Sequence, residues 1–417
     1  MSDSPKQIHV PSTANGIPKH WQWERLDRTC LGVFDCPHST PALVQDGPFV
    51  ARSQDIRSGI FRTREAGHVS EETYQERISR AEPRRGDLLY SREGTYFGIA
   101  AEVPPDVRVC LGQRMVLLRP DERKMDFRFL RYWLNSPVMT RHIHGFRDGT
   151  VAERLNLPTI RGLPVIIPPL NEQRVIAYML GTLDDKIELN RRMNETLEAM
   201  TQALFKSWFV DPTANGLPIG WRESAIGEEV RVVGGSTPST ASPEFWEGGT
   251  HHWATPKDLS TLTSPVLLDT ERKITDEGVE QISSGLLPKG TVLLSSRAPI
   301  GYLAISQVPV SVNQGFIAMV CDKELPNHYV RLWAKHNMET IKANANGTTF
   351  PEISKKNFRP LAVVVPPTDI IKDFVRHVEP LHERTVSNLK ESCILAAVRD
   401  ALLPKLLSGE MRVGDEA

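Results

Sequence analysis

Apolar residues recur at alternating spacings of three and four along two stretches of the chain. The positions of the first stretch are Leu180, Leu183, Ile187, Asn190, Asn194, Leu197, Thr201, Leu204 and Trp208. The second stretch lies 198 residues later (378 − 180 = 198), and its positions are Val378, Leu381, Thr385, Asn388, Ser392, Leu395, Arg399, Leu402 and Leu406. This spacing places a stripe of side chains along one side of a helix, as in a heptad coiled coil. The pattern predicts two long connector helices, over residues 171–210 and 369–410, that pack through these two seams.

Both seams carry polar residues at matched positions. Asn190 corresponds to Asn388, and Asn194 corresponds to Ser392. A buried asparagine in such a seam lowers stability but fixes the register and the number of helices. We therefore interpret these residues as the ones that fix the register and the partner number of a coiled coil. The alternative is an ordinary core helix that carries some polar positions.

Chain connectivity predicts that the two helices are antiparallel. The first helix leaves the first half of the chain and enters the second half, so the second helix can pack only by running back along the first. Pro380 and Pro404 lie in the second stretch. Because proline removes a backbone donor and clashes with the preceding helical turn, we expect a kink or a late start at Pro380 and fraying at Pro404.

Outside the connectors, the first half of the sequence recurs in the second half. Residues 13–18 (TANGIP) and the following Trp21 recur as residues 213–218 (TANGLP) and Trp221, an offset of 213 − 13 = 200. A repeat of this length is a whole domain with its connector, because solenoid repeats are several times shorter. Strand-like and helical stretches occur together in each copy.

The repeat and the connectors together predict the architecture. We expect a mixed α/β (α+β) protein with two globular domains that are related by a pseudo-two-fold axis and separated by an antiparallel two-helix coiled coil. The expected divisions are a first domain over residues 1–170, the connectors over 171–210 and 369–410, a second domain over 211–368 and a tail over 411–417.

The composition is that of a two-domain protein without a membrane segment. With 417 residues and 40% hydrophobic content, the chain can bury two cores. No apolar run is long enough to cross a bilayer and the N-terminus lacks a signal region, so we expect a cytoplasmic protein with no membrane partner. The five cysteines form no CxxC pair, which argues against a disulfide framework or a zinc knuckle.

Charge is distributed unevenly, although the net charge is −1. Residues 1–170 carry 24 Lys and Arg against 20 Asp and Glu, and 21 of those 24 cations are arginine. Residues 211–368 carry 14 cations against 16 anions. Arginine makes planar, bidentate contacts with phosphates and guanine edges, so its abundance in the first half favours nucleic-acid binding. Solvated surface arginine is the alternative.

Five segments, found in this order along the chain, carry a family resemblance. They are residues 163–173 (LPVIIPPLNEQ), 183–190 (LDDKIELN), 204–209 (LFKSWF), 217–221 (LPIGW) and 402–410 (LLPKLLSGE). Together with the repeat, they make the chain similar over nearly its whole length to the specificity subunit of type I restriction-modification systems. The second strand-to-helix junction, residues 366–370 (PPTDI), departs from the pattern because it lacks the Glu-Gln of the first.

The resemblance implies a non-catalytic subunit with two target-recognition domains, each of which reads one half of a split site in double-stranded DNA. It also implies that the paired helices hold these domains apart and dock two methyltransferase (modification) subunits, and that translocating nuclease (restriction) subunits can join. The first seam covers 208 − 180 = 28 steps, about 42 Å at about 1.5 Å per residue. This length corresponds to roughly 12 base pairs of B-DNA.

Sequence motifs for catalysis are absent from the chain. The sequence contains no phosphate-binding GxxxxGK[ST] loop, no Asn-Pro-Pro-aromatic methyltransferase signature and no glycine-rich dinucleotide fingerprint. The His251-His252 pair and the neighbouring His142 and His144 have no further metal ligand at a suitable spacing, so loop or phosphate contacts are the better interpretation. We therefore expect no catalytic residue, no cofactor and no bound metal.

Candidate DNA contacts are cations, amides and one threonine. They are Arg57, Arg62, Arg64, Arg92, Gln113, Arg114 and Arg147 in the first half, and Lys257, Arg297, Asn313, Gln314 and Thr348 in the second. Arginine and lysine suit phosphates or guanine, and glutamine and asparagine suit adenine. Surface solvation or turn capping is the alternative for each. Gln113 and Gln314 align between the copies, which favours a shared role, either in reading DNA or as a structural hydrogen bond.

Two other classes of function are compatible with the sequence. A duplicated scaffold could use its heptad helices to bind other proteins without any DNA readout, as the near-neutral second half would allow. A nuclease could use scattered carboxylates such as Asp55, Glu65 and Glu93, although no paired-carboxylate motif supports this.

Overall fold

The structure is a computed structural model that describes residues 11, 17–57, 59–94, 96–145, 154–347 and 351–413. The chain divides into two compact units. The first unit combines Met1–Ile187 with Ile394–Ala417, and the second unit is Glu188–Cys393. The first unit therefore contains both ends of the chain, and each unit contains part of both long helices.

The first unit is a mixed α/β structure with short strands. Its strands, β1 to β11, are Gln22–Arg25, Cys30–Asp35, Val44–Ala51, Ile56–Arg57, Ile60–Phe61, Gly67–His68, Leu88–Ser91, Ala100–Glu102, Val109–Leu111, Met115–Pro120 and Pro164–Ile167. Its short helices, α1 to α5, are Leu26–Thr29, Glu71–Ile78, Phe127–Leu134, Pro137–His144 and Leu157–Arg161. The first long helix, α6, follows as Leu170–Phe205.

Two sheets organise the first unit. The larger has the strand order β2-β10-β7-β8 and is antiparallel throughout. The smaller has the order β6-β3-β9, in which β3 and β9 are parallel and pair Val50 with Cys110. The pairs β1-β11 and β4-β5 complete the set.

The second unit repeats this plan with different lengths. Its strands, β12 to β21, are Arg222–Ala225, Arg231–Val233, His251–Ala254, Val266–Leu267, Arg272–Ile274, Val292–Ser295, Leu303–Ser306, Val310–Val312, Phe316–Val320 and Ala362–Val365. Its helices, α7 to α12, are Ile226–Glu229, Pro256–Ser260, Asp276–Glu280, Asn327–His336, Met338–Ala343 and Lys355–Phe358, and α13 is Thr368–Ser408. The sheets are β13-β20-β17-β18-β15, β16-β14-β19 and β12-β21, and β14 and β19 are parallel.

The core of the first unit includes residues from both ends of the chain. It gathers side chains of β7, β10 and α3, among them the buried Phe129 and Trp133, with Leu180 of α6 and Leu406 of α13. Asp126 precedes helix α3, and its carboxylate accepts hydrogen bonds from two N–H groups of the first turn and so caps the helix. The first unit is therefore complete only when residues beyond 400 are in place.

The core of the second unit is built around an aromatic cluster. Phe205 of α6 lies 5.3 Å from Tyr329 and 6.3 Å from Phe374 of α13, measured between ring centroids. Apolar side chains of β17, β20 and α10 surround this cluster. Edge-to-face ring contacts of this kind add to the stabilisation from burial.

The two long helices pair in opposite directions within each unit. In the second unit, Asn194 contacts Asn388 while the later Phe205 contacts the earlier Phe374. In the first unit, Asp184 of α6 binds Arg399 of α13 at 2.8 Å. None of the residues named above for the two seams is exposed. The fold class predicted from the sequence is confirmed in its two mixed α/β units and its antiparallel helices.

The matched polar residues of the seams bind one another. The Asn388 Nδ2 group donates to Asn194 Oδ1 at 2.8 Å, and Asn190 Nδ2 donates to Glu391 Oε2 at 2.8 Å. The Ser392 hydroxyl donates to the carbonyl of Asn388 at 2.8 Å. Because Asn190 and Asn388 are almost completely buried, these bonds satisfy groups that would otherwise destabilise the helix pair.

The expected late start at Pro380 and fraying at Pro404 were wrong. Helix α13 runs unbroken from Thr368 to Ser408 and contains both prolines. Packing on either side explains the continuity, because Val378 and Leu406 are fully buried in the cores of the second and first unit, respectively. Tertiary packing commonly overrides a local propensity of this size.

Candidate nucleic-acid interface

The parallel strand pair of each unit ends at a turn of the same construction. The turn joins β9 to β10 in the first unit and β19 to β20 in the second. The N–H of Gly112 donates to the carbonyl of Ala51 at 2.8 Å, and the N–H of Asn313 donates to the carbonyl of Ala254 at 3.0 Å. Each bond ties the turn to the carboxyl end of the neighbouring parallel strand. The turn therefore lies at the edge where both parallel strands end, and we call it the edge turn.

A second backbone bond fixes each edge turn from the other side. The N–H of Arg92 donates to the carbonyl of Arg114 at 3.0 Å, and the N–H of Ser296 donates to the carbonyl of Gly315 at 2.8 Å. Arg92 and Ser296 each follow directly after a central strand, β7 and β17 respectively. The two edge turns thus have the same backbone anchors in both units.

The aligned glutamines make the same side-chain bond in both edge turns. The Thr40 hydroxyl donates to Gln113 Oε1 at 2.9 Å, and the Thr237 hydroxyl donates to Gln314 Oε1 at 2.7 Å. Gln113 Nε2 also donates to the carbonyl of His38 at 3.0 Å. The structural hydrogen bond considered from the sequence is present, and it orients each carboxamide so that hydrogens of its NH₂ group remain for a further acceptor.

Arg114 projects from the tip of the first edge turn. Its backbone has a φ of 73°, in the left-handed region that non-glycine residues rarely adopt. Its half-exposed guanidinium lies 3.2 Å from the Glu93 carboxylate. Together with His38, Arg92 and Arg154, these two residues and Gln113 line a cleft of about 340 Å³. The cleft is rich in cations, with Glu93 as the only carboxylate among its lining residues.

Three further arginines predicted in the first unit, Arg57, Arg62 and Arg64, lie in the segment that follows the end of β3. The Arg57 guanidinium lies 5.5 Å from the centre of the Tyr96 ring and 3.7 Å from the Glu65 carboxylate. Arg62 binds the same carboxylate at 3.0 Å. Arg64 is exposed. The predicted Arg147 and Thr348 lie outside the described residues.

The second unit brings its predicted contacts to the corresponding edge. Lys257 lies in α8, directly after β14, and its ammonium group is 2.8 Å from Glu271. This carboxylate raises the pKa of the Lys257 ammonium group. Arg297 follows Ser296 and lies 3.8 Å from Glu352. The Asn313 carboxamide accepts a hydrogen bond from the N–H of Gly315 at 2.9 Å, so it caps the turn.

Most of these cations already have a carboxylate partner. The pairs are Arg57 and Arg62 with Glu65, Arg92 with Asp35 at 2.7 Å, Arg114 with Glu93, Lys257 with Glu271, and Arg297 with Glu352. Exposed pairs of this kind contribute little stability, and a phosphate can replace the carboxylate at small cost. The mostly buried Arg92–Asp35 pair is the exception, because its guanidinium is 14% exposed and braces the cleft.

The histidine pair noted in the sequence is engaged in local bonds. His251 Nε2 lies 2.7 Å from Asp276, and His252 Nδ1 lies 3.1 Å from Asp269. Burial lowers the pKa of His252. Across the part of the chain that the structure describes, no group of three or more His, Cys, Asp or Glu side chains is arranged to hold a metal ion.

Comparison with known families shows the family to which the chain belongs. The family model described as "Type I restriction modification DNA specificity domain" matches residues 45–199 and again residues 218–391. The chain belongs to this DNA specificity family. Each of the two matches contains one edge turn with its aligned glutamine.

Two curated relatives show how far the likeness extends. The chain is 35% identical over 169 residues to the MjaIX specificity subunit of Methanocaldococcus jannaschii, a match that spans 40% of this chain and only 39% of that relative. It is 24% identical over 406 residues to the HindI specificity subunit of Haemophilus influenzae, which covers 79% of this chain and 87% of that relative. The fold is similar to a crystal structure of a type I S subunit from M. genitalium, with a TM-score of 0.57 at 17% identity, covering 94% of this chain and 96% of that one.

As a DNA specificity protein of type I restriction-modification, the chain recognises DNA and does not catalyse the reaction. The scaffold without DNA readout is therefore not favoured. In the described residues, no helix combines the length and the apolar character that crossing a membrane would require.

Proposed function

We propose that the chain is the specificity subunit of a type I restriction-modification complex and that it reads a split DNA site, one half with each unit. The observation that carries this proposal is the duplicated edge turn. Gln113 and Gln314 share backbone anchors and a threonine partner, whereas the residues around them differ between the units. A common scaffold with unlike surroundings suits two readers of different base sequences.

The proposed DNA contacts are cations and uncharged polar side chains of both halves of the chain. Those predicted from the sequence are Arg57, Arg62, Arg64, Arg92, Gln113, Arg114 and Arg147 in the first half, and Lys257, Arg297, Asn313, Gln314 and Thr348 in the second. In this arrangement the cations bind phosphates or guanine edges, and the glutamines present their NH₂ groups to base acceptors. Replacement of Glu65, Glu93 and Glu271 by phosphates would accompany binding.

We further propose that the long helices dock two methyltransferase subunits and that nuclease subunits can join this assembly. Exposed apolar residues on α6 support a protein partner there. Leu189 and Met200 are 53% and 48% exposed and lie three helical turns apart on one face.

The proposal is tested by methylome sequencing of a host strain with and without this chain. The expected result is a methylation motif that appears only with the chain and consists of two defined halves separated by undefined bases. A continuous motif, or an unchanged methylome in the presence of the cognate methyltransferase, would contradict the proposal.

A further inference from the structure

An arginine that the sequence interpretation missed is stacked on a tryptophan in the second unit. Arg272 is the first residue of β16, the edge strand of the three-stranded sheet. Its guanidinium carbon lies 3.5 Å from the centre of the Trp246 ring and 5.5 Å from that of Trp253. The two indole rings are perpendicular to each other, with centroids 5.0 Å apart.

Hydrogen bonds and burial hold this aromatic platform in place. Trp246 Nε1 donates to the carbonyl of Ser239 at 2.9 Å, and Trp253 Nε1 donates to the carbonyl of Ser236 at 3.2 Å. Trp253 is only 3% exposed. Since both rings are fixed, the stacked guanidinium is held in one plane while its edge faces solvent.

Arg272 differs from the other cations near this edge in having no carboxylate partner. Among the described residues, no hydrogen bond or ion pair involves its guanidinium group, although the residue is exposed. By contrast, Lys257 and Arg297 each face a glutamate. The five N–H donors of Arg272 are therefore available to a ligand, and little side-chain entropy remains to be lost when they bind.

Strand register places Arg272 beside the edge turn of the second unit. Trp253 of β14 pairs with Arg272 on one side and with Ser311 of β19 on the other. Ser311 precedes Gln314 by three residues, and two strand spacings separate Arg272 from Ser311 by about 10 Å. The neighbouring Glu271 binds Lys257, which ties the start of β16 to the same edge.

We propose that Arg272 is a specificity-determining residue of the second unit, one that reads a guanine through its planar pair of N–H donors. This inference rests on the proposed function. A planar donor pair matches the O6 and N7 acceptors of guanine in the major groove. In the first unit, the corresponding sheet position is Gly67, which pairs with Val50 of β3, so no arginine occupies this position there.

The test uses the full chain assembled with its methyltransferase subunits and compares Arg272→Lys with the wild type. Lysine keeps the positive charge but lacks the planar pair of donors. We expect a loss of about tenfold or more in preference for guanine at one position of one half-site, with the other half-site unchanged. A matched control is Arg231→Lys, an exposed arginine of the same unit that binds Asp322 at 3.1 Å.

Each outcome has a separate meaning. If the wild type yields no split motif, the proposed function fails. If the wild type yields the motif and Arg272→Lys leaves every base preference intact, the inference about Arg272 is overturned, and a uniform loss of affinity would reduce the residue to a phosphate contact. Trp246→Leu provides a second variant, because removing the platform while keeping Arg272 should relax the same position.

Discussion

At the scale of single residues, the threonine–glutamine bond orients a side chain in each edge turn. Thr40 and Thr237 donate to the carbonyl oxygens of Gln113 and Gln314, so hydrogens of each NH₂ group remain for a further acceptor. A carboxamide held in one orientation presents a donor without first losing rotational freedom. In the proposed function, the same bond serves both the stability of the turn and the accuracy of base readout.

Replacing Gln314 with Ala should reduce DNA affinity by about 1–3 kcal/mol and relax the preference at one base of one half-site. Thr237→Val is the matched control, because it removes the orienting hydroxyl but keeps the glutamine. We expect that control to cost about 1 kcal/mol in the free energy of unfolding and less in affinity. Binding titrations with site variants measure both effects, and a Gln314→Ala protein with unchanged affinity and preference would exclude this residue as a contact.

A histidine pair in the second unit, of which His328 is buried, predicts a pH dependence of stability. His328 and His382 lie 4.7 Å apart, measured between ring centroids, and His328 Nε2 is 2.9 Å from the Glu379 carboxylate. Burial and the nearby Arg331 guanidinium outweigh this carboxylate and lower the pKa of His328 to about 4. Burial, with the neighbouring His328, likewise lowers the pKa of His382 to about 4.

The second unit should lose stability as the pH falls from about 6.5 to about 4. In this range the histidines are protonated in the unfolded chain but not in the folded one, so protons favour unfolding. The contribution of His328 is roughly 3 kcal/mol at most, at about 1.4 kcal/mol per pKa unit. Urea unfolding at several pH values should show a weaker pH dependence for His328→Asn than for the wild type. His336→Asn, at an exposed site on the same helix, should leave the pH dependence unchanged.

The sequence predicted the two glutamines of the edge turns but not Arg272, and the difference has a physical reason. Gln113 and Gln314 were found because the duplication aligns them, so one copy supports the other. Arg272 has no counterpart in the first unit, and its importance depends on Trp246 and Trp253, which only strand pairing brings to it. Partners from separate strands leave no periodic signal in a single sequence.

At the scale of elements, the long helices were predictable because a heptad pattern is long and regular. The expected connectors appear as Leu170–Phe205 and Thr368–Ser408. The late start expected at Pro380 does not occur. Local propensity opposes a helix there, but the burial of the nearby Val378 favours one. Packing of this kind between distant segments cannot be deduced from the sequence around a proline.

The polar cluster between the two helices predicts a non-additive response to substitution. Asn388→Leu should lower the free energy of unfolding by about 1–3 kcal/mol, because Asn194 stays buried without the donor that satisfies it. The double variant Asn194→Leu with Asn388→Leu removes both polar groups and should recover most of that loss. Denaturant unfolding measures the effect, and costs that simply add would contradict the proposed pairing.

At the scale of the whole molecule, the first unit depends on residues from the end of the described chain. Leu402, Leu403, Leu406 and Leu407 pack in the same core as β7, β10 and α3. The Pro18 ring lies so close to Gly409 that a Cβ at this position would clash with it, so the start and the end of the described chain meet in this unit. The second unit, by contrast, is contained in a single segment, Glu188–Cys393.

Leu406→Ala should therefore destabilise the first unit and spare the second. Truncating a fully buried leucine costs about 2–5 kcal/mol. Hydrogen exchange should show lost protection in β7 and β10 with little change in β17 and β20. Ile394→Ala is the control, because this α13 side chain is 65% exposed. Equal loss of protection in both units would contradict the division described above.

This arrangement affects the order in which the two units can fold during translation. The segment that forms the second unit ends at Cys393, whereas the N-terminal half needs leucines that are synthesised after Cys393 to close its core. The part translated first thus cannot mature before the last residues of α13 are made, contrary to the usual N-terminal-first sequence. Chains truncated before residue 400 should expose the N-terminal half to chaperones and proteases.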